Sequence, residues 1–555
     1  MVETEEKLET IEVVKRNGKK VEFDGTKVAM AIKKGFDSVL LDSEENEKKY
    51  NTKDIQKVYQ AVIKKIAKDY LPLGKIKIEE IQDLIEENLK KYDYQDVYES
   101  FSEYRQRRAN ARIAFRDDKN MAKLQKSIEG LGLKSAAEED SKRENANIDG
   151  NTAMGTMLQF GSTISRAFTE AYLMKKKYAE AHSNGDIHIH DMDFEAMGTT
   201  TCTQIDLSKL FKNGFSTGHG FLREPKDIIS YAALAAIAIQ SNQNDQHGGQ
   251  SIPAFDYYMA PGVLKTFKKQ YKQAVYELLD FSDFISFINM DRVEKEIDKL
   301  TSIDVDTKVF EGIYKDSTEV KKIFEKGYET AYKKTNRQTY QAMEAFIHNL
   351  NTMHSRAGAQ VPFSSVNFGT DTSPEGRMVI KNFLLATDAG LGRNETPIFP
   401  ISIFKLRKGT NYEVTDPNYD LFKLAIKVSA KRLFPNFSFM DSSFNKPYYK
   451  GDYNTEVAYM GCRTRVMANV VDEDKAITPG RGNLSFTSIN LPRLGIKHGI
   501  VRNDKTDMKG FYEELGELMD LVKDQLLERF EIQCNKRLYN FPFLLGQGVW
   551  IDSDK

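Results

Sequence analysis

The chain has 555 residues, 40% of them hydrophobic and 11% aromatic, the composition of a globular protein long enough for more than one domain. Lys and Arg number 80 against 81 Asp and Glu, so no net basic field exists to hold a polyanion by counterion release, and no nucleic-acid partner is expected. The opening Met-Val-Glu-Thr-Glu-Glu lacks the basic and apolar regions of a signal peptide, and the most apolar run, Tyr231 to Ile239, is too short to span a bilayer, so a cytoplasmic protein without a membrane partner is expected.

Residues 11–23 place Asn17-Gly18 between two alternating β-prone runs, which predicts a hairpin. Asp24 follows as an N-cap before a helix from Thr26 to Phe36, and helical patterns recur near 53–69, 78–91 and 94–112. A compact hairpin-plus-helices domain over residues 10–112 is therefore expected. The charged stretch 113–147 has weak apolar periodicity and reads as a linker or surface helix.

Beyond it, long helical patterns (Ala167 to His182, Pro225 to Ser241, Ala260 to Asn289, Ser317 to Met353, Leu421 to Lys431) alternate with short apolar segments at Ile187 to Ile189, Phe399 to Phe404 and Leu484 to Leu491. That alternation predicts an α/β body over residues 148–555. No solenoid period or low-complexity tract is present.

Lys15, Arg16, Lys19, Lys20 and Lys27 cluster around the hairpin turn and a helix start, where backbone N–H groups favour a phosphate; a merely solvated basic face fits the same charges. Gly185-Asp186-Ile187-His188-Ile189-His190-Asp191-Met192-Asp193 is dense in histidine and carboxylate. On a strand, however, His188 and His190 share one face while Asp191 alternates to the other, so hydrogen-bonding roles are preferred to metal ligation.

Only three cysteines occur, with no C-x-x-C pair, which leaves neither a disulfide framework nor a closed Cys-rich zinc site. Cys202 lies in the small, polar Gly198-Thr199-Thr200-Thr201-Cys202-Thr203-Gln204. Cys462, in Tyr459-Met460-Gly461-Cys462-Arg463-Thr464-Arg465, is predicted at a loop tip beside cations, as reactive thiols are. Cys534, on an evident helix, is assigned no chemistry.

Two resemblances sharpen this reading. Val13-Val14-Lys15-Arg16-Asn17-Gly18, then Phe23-Asp24, Lys27 and a helix, closed by Tyr104-Arg105, closely resembles the ATP-cone, a domain that binds ATP or dATP. The resemblance implies that Lys15, Lys27 and Arg105 contact phosphates, that Arg16 belongs to the same nucleotide site and that Asp24 lies beside the nucleoside. Val21 stands where some cones carry glutamate.

From residue 145 onward the order of several clusters is similar to the anaerobic, class III ribonucleoside-triphosphate reductases. They are Asn145 to Gly150, Gln246-His247-Gly248-Gly249-Gln250, Arg356 to Ser365, Thr396 to Pro400, Met460-Gly461-Cys462-Arg463, Gly480-Arg481-Gly482-Asn483-Leu484 and Ser488 to Arg493. What the resemblance implies is a ten-stranded α/β barrel of two antiparallel half-barrels. Its finger loop carries the cysteine that becomes a thiyl radical, matched by Cys462, with Cys202 as the second catalytic thiol. Asn483 or Asn490 matches the residue that holds the ribose hydroxyls or formate, and Ser364 and Ser365 are further substrate-binding candidates.

The same resemblance implies ribonucleoside triphosphates as substrates, ATP and dATP as allosteric effectors, formate as reductant, a radical-SAM activase and a homodimer. That family's radical glycine, in an Arg-x-Cys-Gly-Tyr-like motif beside a four-cysteine zinc site, has no counterpart here, because no cysteine is followed by glycine. The expectation is a barrel truncated at its C-terminus whose chain alone does not turn over. Aerobic and cobalamin-dependent reductases use a Cys-x-Glu element, and pyruvate formate-lyase-like enzymes use adjacent cysteines; neither pattern is present. A non-catalytic nucleotide-binding remnant or regulator is the reading of a different class.

Overall fold

In the computed structural model the described residues are 8, 10–15, 20–40, 50–116, 152–282, 284–314, 317–356, 360–469, 471–499 and 505–553. Arg16, the Asn17-Gly18 turn, most of the expected linker and the cluster at 145–150 lie outside them. The chain divides into two compact units, one holding residues 1–125 with 171–175, the other 126–170 with 176–555.

In the first unit, strand β1 (Glu12–Val14) pairs antiparallel with β2 (Lys20–Glu22), as the hairpin signal requires, and parallel with β3 (Lys75–Lys77). Val13 lies between Val21 and Ile76 in register. Helices Gly25–Leu40, Thr52–Asp69, Ile78–Lys91 and Gln95–Arg116 complete the unit. Asp24 opens the first of them, accepting from the Thr26 N–H at 3.0 Å. Ile11, Val13, Ile32, Phe36, Val58, Val62, Ile66, Ile76, Ile85 and Val97 form a closed apolar core.

The second unit is α/β, as expected. Its main sheet runs β11 (Asn436–Phe439), β10 (Ile401–Leu406), β9 (Ser364–Phe368), β8 (Gln250–Ile252), β5 (Cys202–Gln204) and β14 (Gly482–Asn483). Successive strands from β5 to β11 are parallel, joined by helical crossovers, and only β14 is antiparallel. Small antiparallel pairs accompany it: β4 (Ile187–Ile189) with β15 (Thr487–Ile489), β6 (Phe215–Ser216) with β7 (Phe221–Leu222), and β12 (Ala458–Tyr459) with β13 (Arg465–Val466).

The crossover helices form the bulk of the core. Phe255, Met259, Val263, Phe267, Tyr271, Val275 and Leu279 recur every fourth residue along the helix Phe255–Phe281, and all are fully buried. This helix packs on Thr318–Thr352 and Pro374–Ala389. A Cβ on Gly327 would lie 2.9 Å from Val275 Cγ2, so glycine sets that helix approach. Ser317 and Ser373 cap the latter two helices through Val320 N–H (3.3 Å) and Gly376 N–H (3.0 Å).

Two expected elements differ. The pattern from Ala167 to His182 is not one helix but takes in the end of Ala153–Phe168, a π-helical turn at Thr169–Leu173 and most of Lys176–Asn184, and the greater part of the first of these was not expected. The pattern from Ala260 to Asn289 ends as a helix at Phe281, and a new helix, Met290–Asp298, starts at the Asn289 cap. No helix among the described residues is long and apolar enough to cross a membrane.

Candidate active site

Parallel strands buried on both faces ordinarily read as runs of Val, Ile and Leu. Here β8 and β9 are wholly buried yet carry Gln250, Ser251, Ser364, Ser365 and Asn367. Their register sorts these polar groups. Gln204, Ser251, Ser365 and Ile401 are aligned across the sheet, so they share one face, together with Cys202 and Asn367 two residues along their strands. Thr203, Gln250 and Ser364 align on the opposite face, where Thr203 Oγ1 donates to Gln246 Oε1 at 2.6 Å and Asn242 bonds Gln250. The adjacent serines proposed together for substrate therefore face opposite ways, because strand side chains alternate.

The hairpin of β12 and β13 lies on the first face. Gln204 Nε2 donates to Met460 Sδ (3.5 Å), and Ser251 Oγ to the Tyr459 carbonyl (3.2 Å). Asn367 brackets Tyr459, accepting its N–H and donating to its C=O, both at 2.9 Å. Cys202, Met460 and Val466 pack together as a small buried cluster. At the tip, Met460 N–H donates to Thr464 C=O (3.0 Å) and Arg463 takes φ 70°. A Cβ on Gly461 would sit 2.9 Å from both Ile401 Cδ1 and Phe363 Cε1, so only glycine lets the tip descend this far. Cys462 is thereby presented, exposed, at the turn, with Sγ 3.2 Å from Thr464 Oγ1.

Cys202 is buried on β5 opposite Asn483 of β14, and receives the Gly249 N–H on its Sγ at 3.2 Å. A Cβ on Gly482 would fall 1.8 Å from the Cys202 carbonyl oxygen, which requires glycine beside the cysteine. Cys462 lies close enough to Cys202 to act on its ionisation: that neighbour, and then burial, push the Cys202 thiol well above the ordinary range, so it keeps its proton. Under the same mutual influence, with help from its contact to Thr464, Cys462 is pulled down to about 6. The two thiols are thus unequal, the buried Cys202 the harder to ionise and the exposed Cys462 the easier. Around it, Gln204 Oε1, Ser365 Oγ and Asn483 Nδ2 are buried without a hydrogen-bond partner. Such atoms are costly unless a ligand or water completes them.

The hairpin's base is fixed by charge. Glu456 accepts Lys405 Nζ (2.9 Å), Arg407 Nη1 (2.5 Å) and Thr370 Oγ1 (2.9 Å), and the Lys405 and Glu456 side chains are each 1% exposed. Sequence reading missed this network and Asn367. A lysine inside the apolar run Ile401–Leu406 was the available signal, since a buried charge demands a partner.

The remaining candidates are placed elsewhere. Asn490 caps the helix Leu491–His498, accepting Arg493 N–H at 3.1 Å and donating to Gly185 C=O at 2.8 Å, so its amide is already engaged. His188 and His190 stack edge to face at 4.6 Å, and His190 Nε2 lies 2.8 Å from Ser488 Oγ. Asp191, at φ 50°, turns away toward His247, whose Nε2 is 3.6 Å from it. Asp193 accepts from Ser162 at 2.6 Å. Among the described residues no three His, Cys, Asp or Glu are grouped to hold a metal ion.

In the first unit, Lys27 and Arg105 line one cavity of about 700 Å³ with Lys34, Ser38, Gln82 and Phe101. Lys27 pairs with Asp24 at 3.0 Å, and Arg105 is held by Glu79 (3.0 Å), Asp83 (2.6 Å) and Glu86 (3.1 Å). Lys15 is exposed just after β1.

Compared with known proteins, residues 144–555 match the family model "Anaerobic ribonucleoside-triphosphate reductase", and residues 11–110 match "ATP cone domain". Over 539 residues the chain is 27% identical to the anaerobic ribonucleoside-triphosphate reductase of Haemophilus influenzae, covering 97% of this chain and 65% of that protein. It is 26% identical to the Escherichia coli enzyme over 543 residues, with the same coverage. With the enzyme of Enterobacteria phage T4 the identity is 29% over 434 residues, 77% of this chain and 62% of the relative. A crystal structure of the Thermotoga maritima anaerobic ribonucleotide reductase in complex with dATP and CTP aligns at 14% identity and TM-score 0.48, covering 79% of this chain and 64% of that one. The chain spans about two thirds of the length of these curated relatives. With a family match running through both thiols and an ATP cone ahead of it, the chain belongs to the anaerobic ribonucleoside-triphosphate reductase family.

Proposed function

We propose that this chain carries out thiyl-radical reduction of ribonucleoside triphosphates, tuned by ATP or dATP at its cone. The observation that carries the reading is the placement of two unequal thiols, Cys202 buried on a strand and Cys462 at the tip of the hairpin that packs on it, beside three buried polar atoms without partners.

In this reading residues 10–112 are the cone, 113–147 the linker and 148–555 part of a ten-stranded barrel. Cys462, as a thiyl, takes the ribose 3′ hydrogen atom, forming S–H and leaving the radical on the sugar. The 2′ hydroxyl departs as water with the proton that Cys202 keeps, and formate, oxidised to carbon dioxide, supplies the two electrons and the hydrogen that replace it. Asn483 and Ser365 orient the hydroxyls. Asn490, already used as a cap, is not required, and Ser364 supports the sheet from its other face.

Three cysteines cannot supply a four-cysteine zinc site, and none precedes a glycine. The cysteines of this sequence therefore supply neither group. Lys15, Arg16, Lys27 and Arg105 receive the effector's phosphates, with Arg105 exchanging its carboxylates for them, and Asp24 faces the nucleoside. A homodimer, a radical-SAM activase and a cytoplasmic setting complete the proposal.

The test is anaerobic turnover of ribonucleoside triphosphates in a preparation that supplies the radical glycine and its activase. Cys462→Ala should abolish product, and retained turnover overturns the assignment. Lys15→Ala with Lys27→Ala should weaken ATP and dATP binding at least about tenfold, as expected when charge-assisted phosphate contacts are lost. Nucleotide binding by the unaltered chain, with no turnover under those conditions, favours a regulator instead.

A further inference from the structure

Asn367 is fully buried in the middle of the main sheet, where a parallel strand ordinarily carries an apolar side chain. Its amide makes both hydrogen bonds that a neighbouring strand would make to Tyr459, and its Nδ2 also lies 3.2 Å from Ser251 Oγ, which itself bonds the Tyr459 carbonyl. The β12–β13 ladder above it has only two paired positions, too little to hold a hairpin on its own. Tyr459 is three residues before Cys462, and from Met460 the chain turns back at once. The height of Tyr459 over β9 therefore fixes the height of the thiol over Cys202.

We infer that Asn367 is the positioning residue of the two thiols: by replacing a missing strand rung, it sets the height of the Cys462 hairpin over the buried Cys202. The inference rests on the proposed role of the two thiols, but it is tested without turnover.

In the full chain, a bifunctional bimane reagent that fluoresces on spanning two thiols should bridge Cys202 and Cys462. Asn367→Leu keeps the volume and removes both bonds. It should lower the bridging rate about tenfold or more, and the alkylation of Cys462 at pH 6.5 should slow about fivefold. The second figure follows from a thiol returning toward its ordinary range, with its higher intrinsic nucleophilicity offsetting part of the lost thiolate. Ser251→Ala, which removes one bond, should change either rate less than about twofold, as the loss of a single neutral hydrogen bond allows.

A purely structural asparagine would lower the melting temperature and leave bridging and pH profile unchanged, and that result overturns the inference. Failure of the wild-type chain to bridge at all overturns the thiol-pair reading itself. Should Asn367→Leu not fold, amide exchange at Tyr459 in the wild-type chain decides. Protection comparable to that of β9 supports the clamp, and exchange at the rate of an exposed loop overturns it.

Discussion

The hairpin β1–β2 near the N-terminus and the hairpin β12–β13 that carries Cys462 are both a few residues long, yet they are held by different means. The first has a third strand beside it and an apolar core beneath, with Val13 between Val21 and Ile76. The second has two paired positions and is held by side chains from other strands: Asn367, Ser251 and Gln204 from below, and Glu456 at its base. Apolar packing is non-directional and tolerates small shifts. Hydrogen bonds and buried ion pairs fix position at a desolvation cost, which suits a hairpin whose tip must meet one sulfur atom.

Removing the inner hairpin's anchor should have the largest effect. Glu456→Ala leaves Lys405 buried without its carboxylate and should cost about 3–5 kcal/mol in urea unfolding. A loss under 1 kcal/mol would mean that the charge network does not hold the base. Next, Gly461→Ala drives a methyl group into Ile401 and Phe363 and should cost about 1–3 kcal/mol, as overpacking does. Unchanged stability would mean that the tip is free to lift.

The thiol itself gives a third measure. With Cys462 titrating at about 6, alkylation should rise about tenfold from pH 5 to pH 7, equivalent to about 1.4 kcal/mol, and then level off. A monofunctional reagent should leave the buried Cys202 unlabelled throughout, since only a bifunctional one already anchored on Cys462 is carried to it. The sign follows from a depressed thiol, whose reactive anion is gained as pH climbs through that value; a rise only above pH 8 would show the pair to be apart. The smallest effect is expected on the outer hairpin. The Lys20–Glu12 pair, 2.7 Å long but solvent-exposed, should contribute less than about 1 kcal/mol, so Lys20→Met should leave the melting temperature nearly unchanged.

The same contrast governs what could be read from the amino acids. Asn17-Gly18 and the capping Asp24 announced the outer hairpin and the helix after it, because turn chemistry is local. The long helices were legible from their spacing, and Ile187–Ile189 from its apolar run. Cys202 and Cys462 stood out by polar, glycine-bearing neighbourhoods, but that they belong to one site was visible only through resemblance. Asn367 and Glu456 carried no local mark, since their partners are distant in sequence. Asn490, followed by Leu491-Pro492, bore a readable cap signature that competed with its role as a substrate candidate. The opposed faces of Ser364 and Ser365 follow from alternation once a strand is assigned, and their polar sequence concealed that strand.

The bond from Gln204 to Met460 joins residues 256 positions apart. Contacts of such long range make folding slow, because loop closure precedes any reward. The hairpin that carries Cys462 therefore reaches the Cys202 strand only after the intervening strands β8 to β11 have docked, and a growing polypeptide holds the two thiols separate through most of its synthesis. Bridging of the pair is accordingly a clock for assembly: its appearance after dilution from denaturant should lag the recovery of helical signal, reporting the last step by which the sheet strands close on the hairpin.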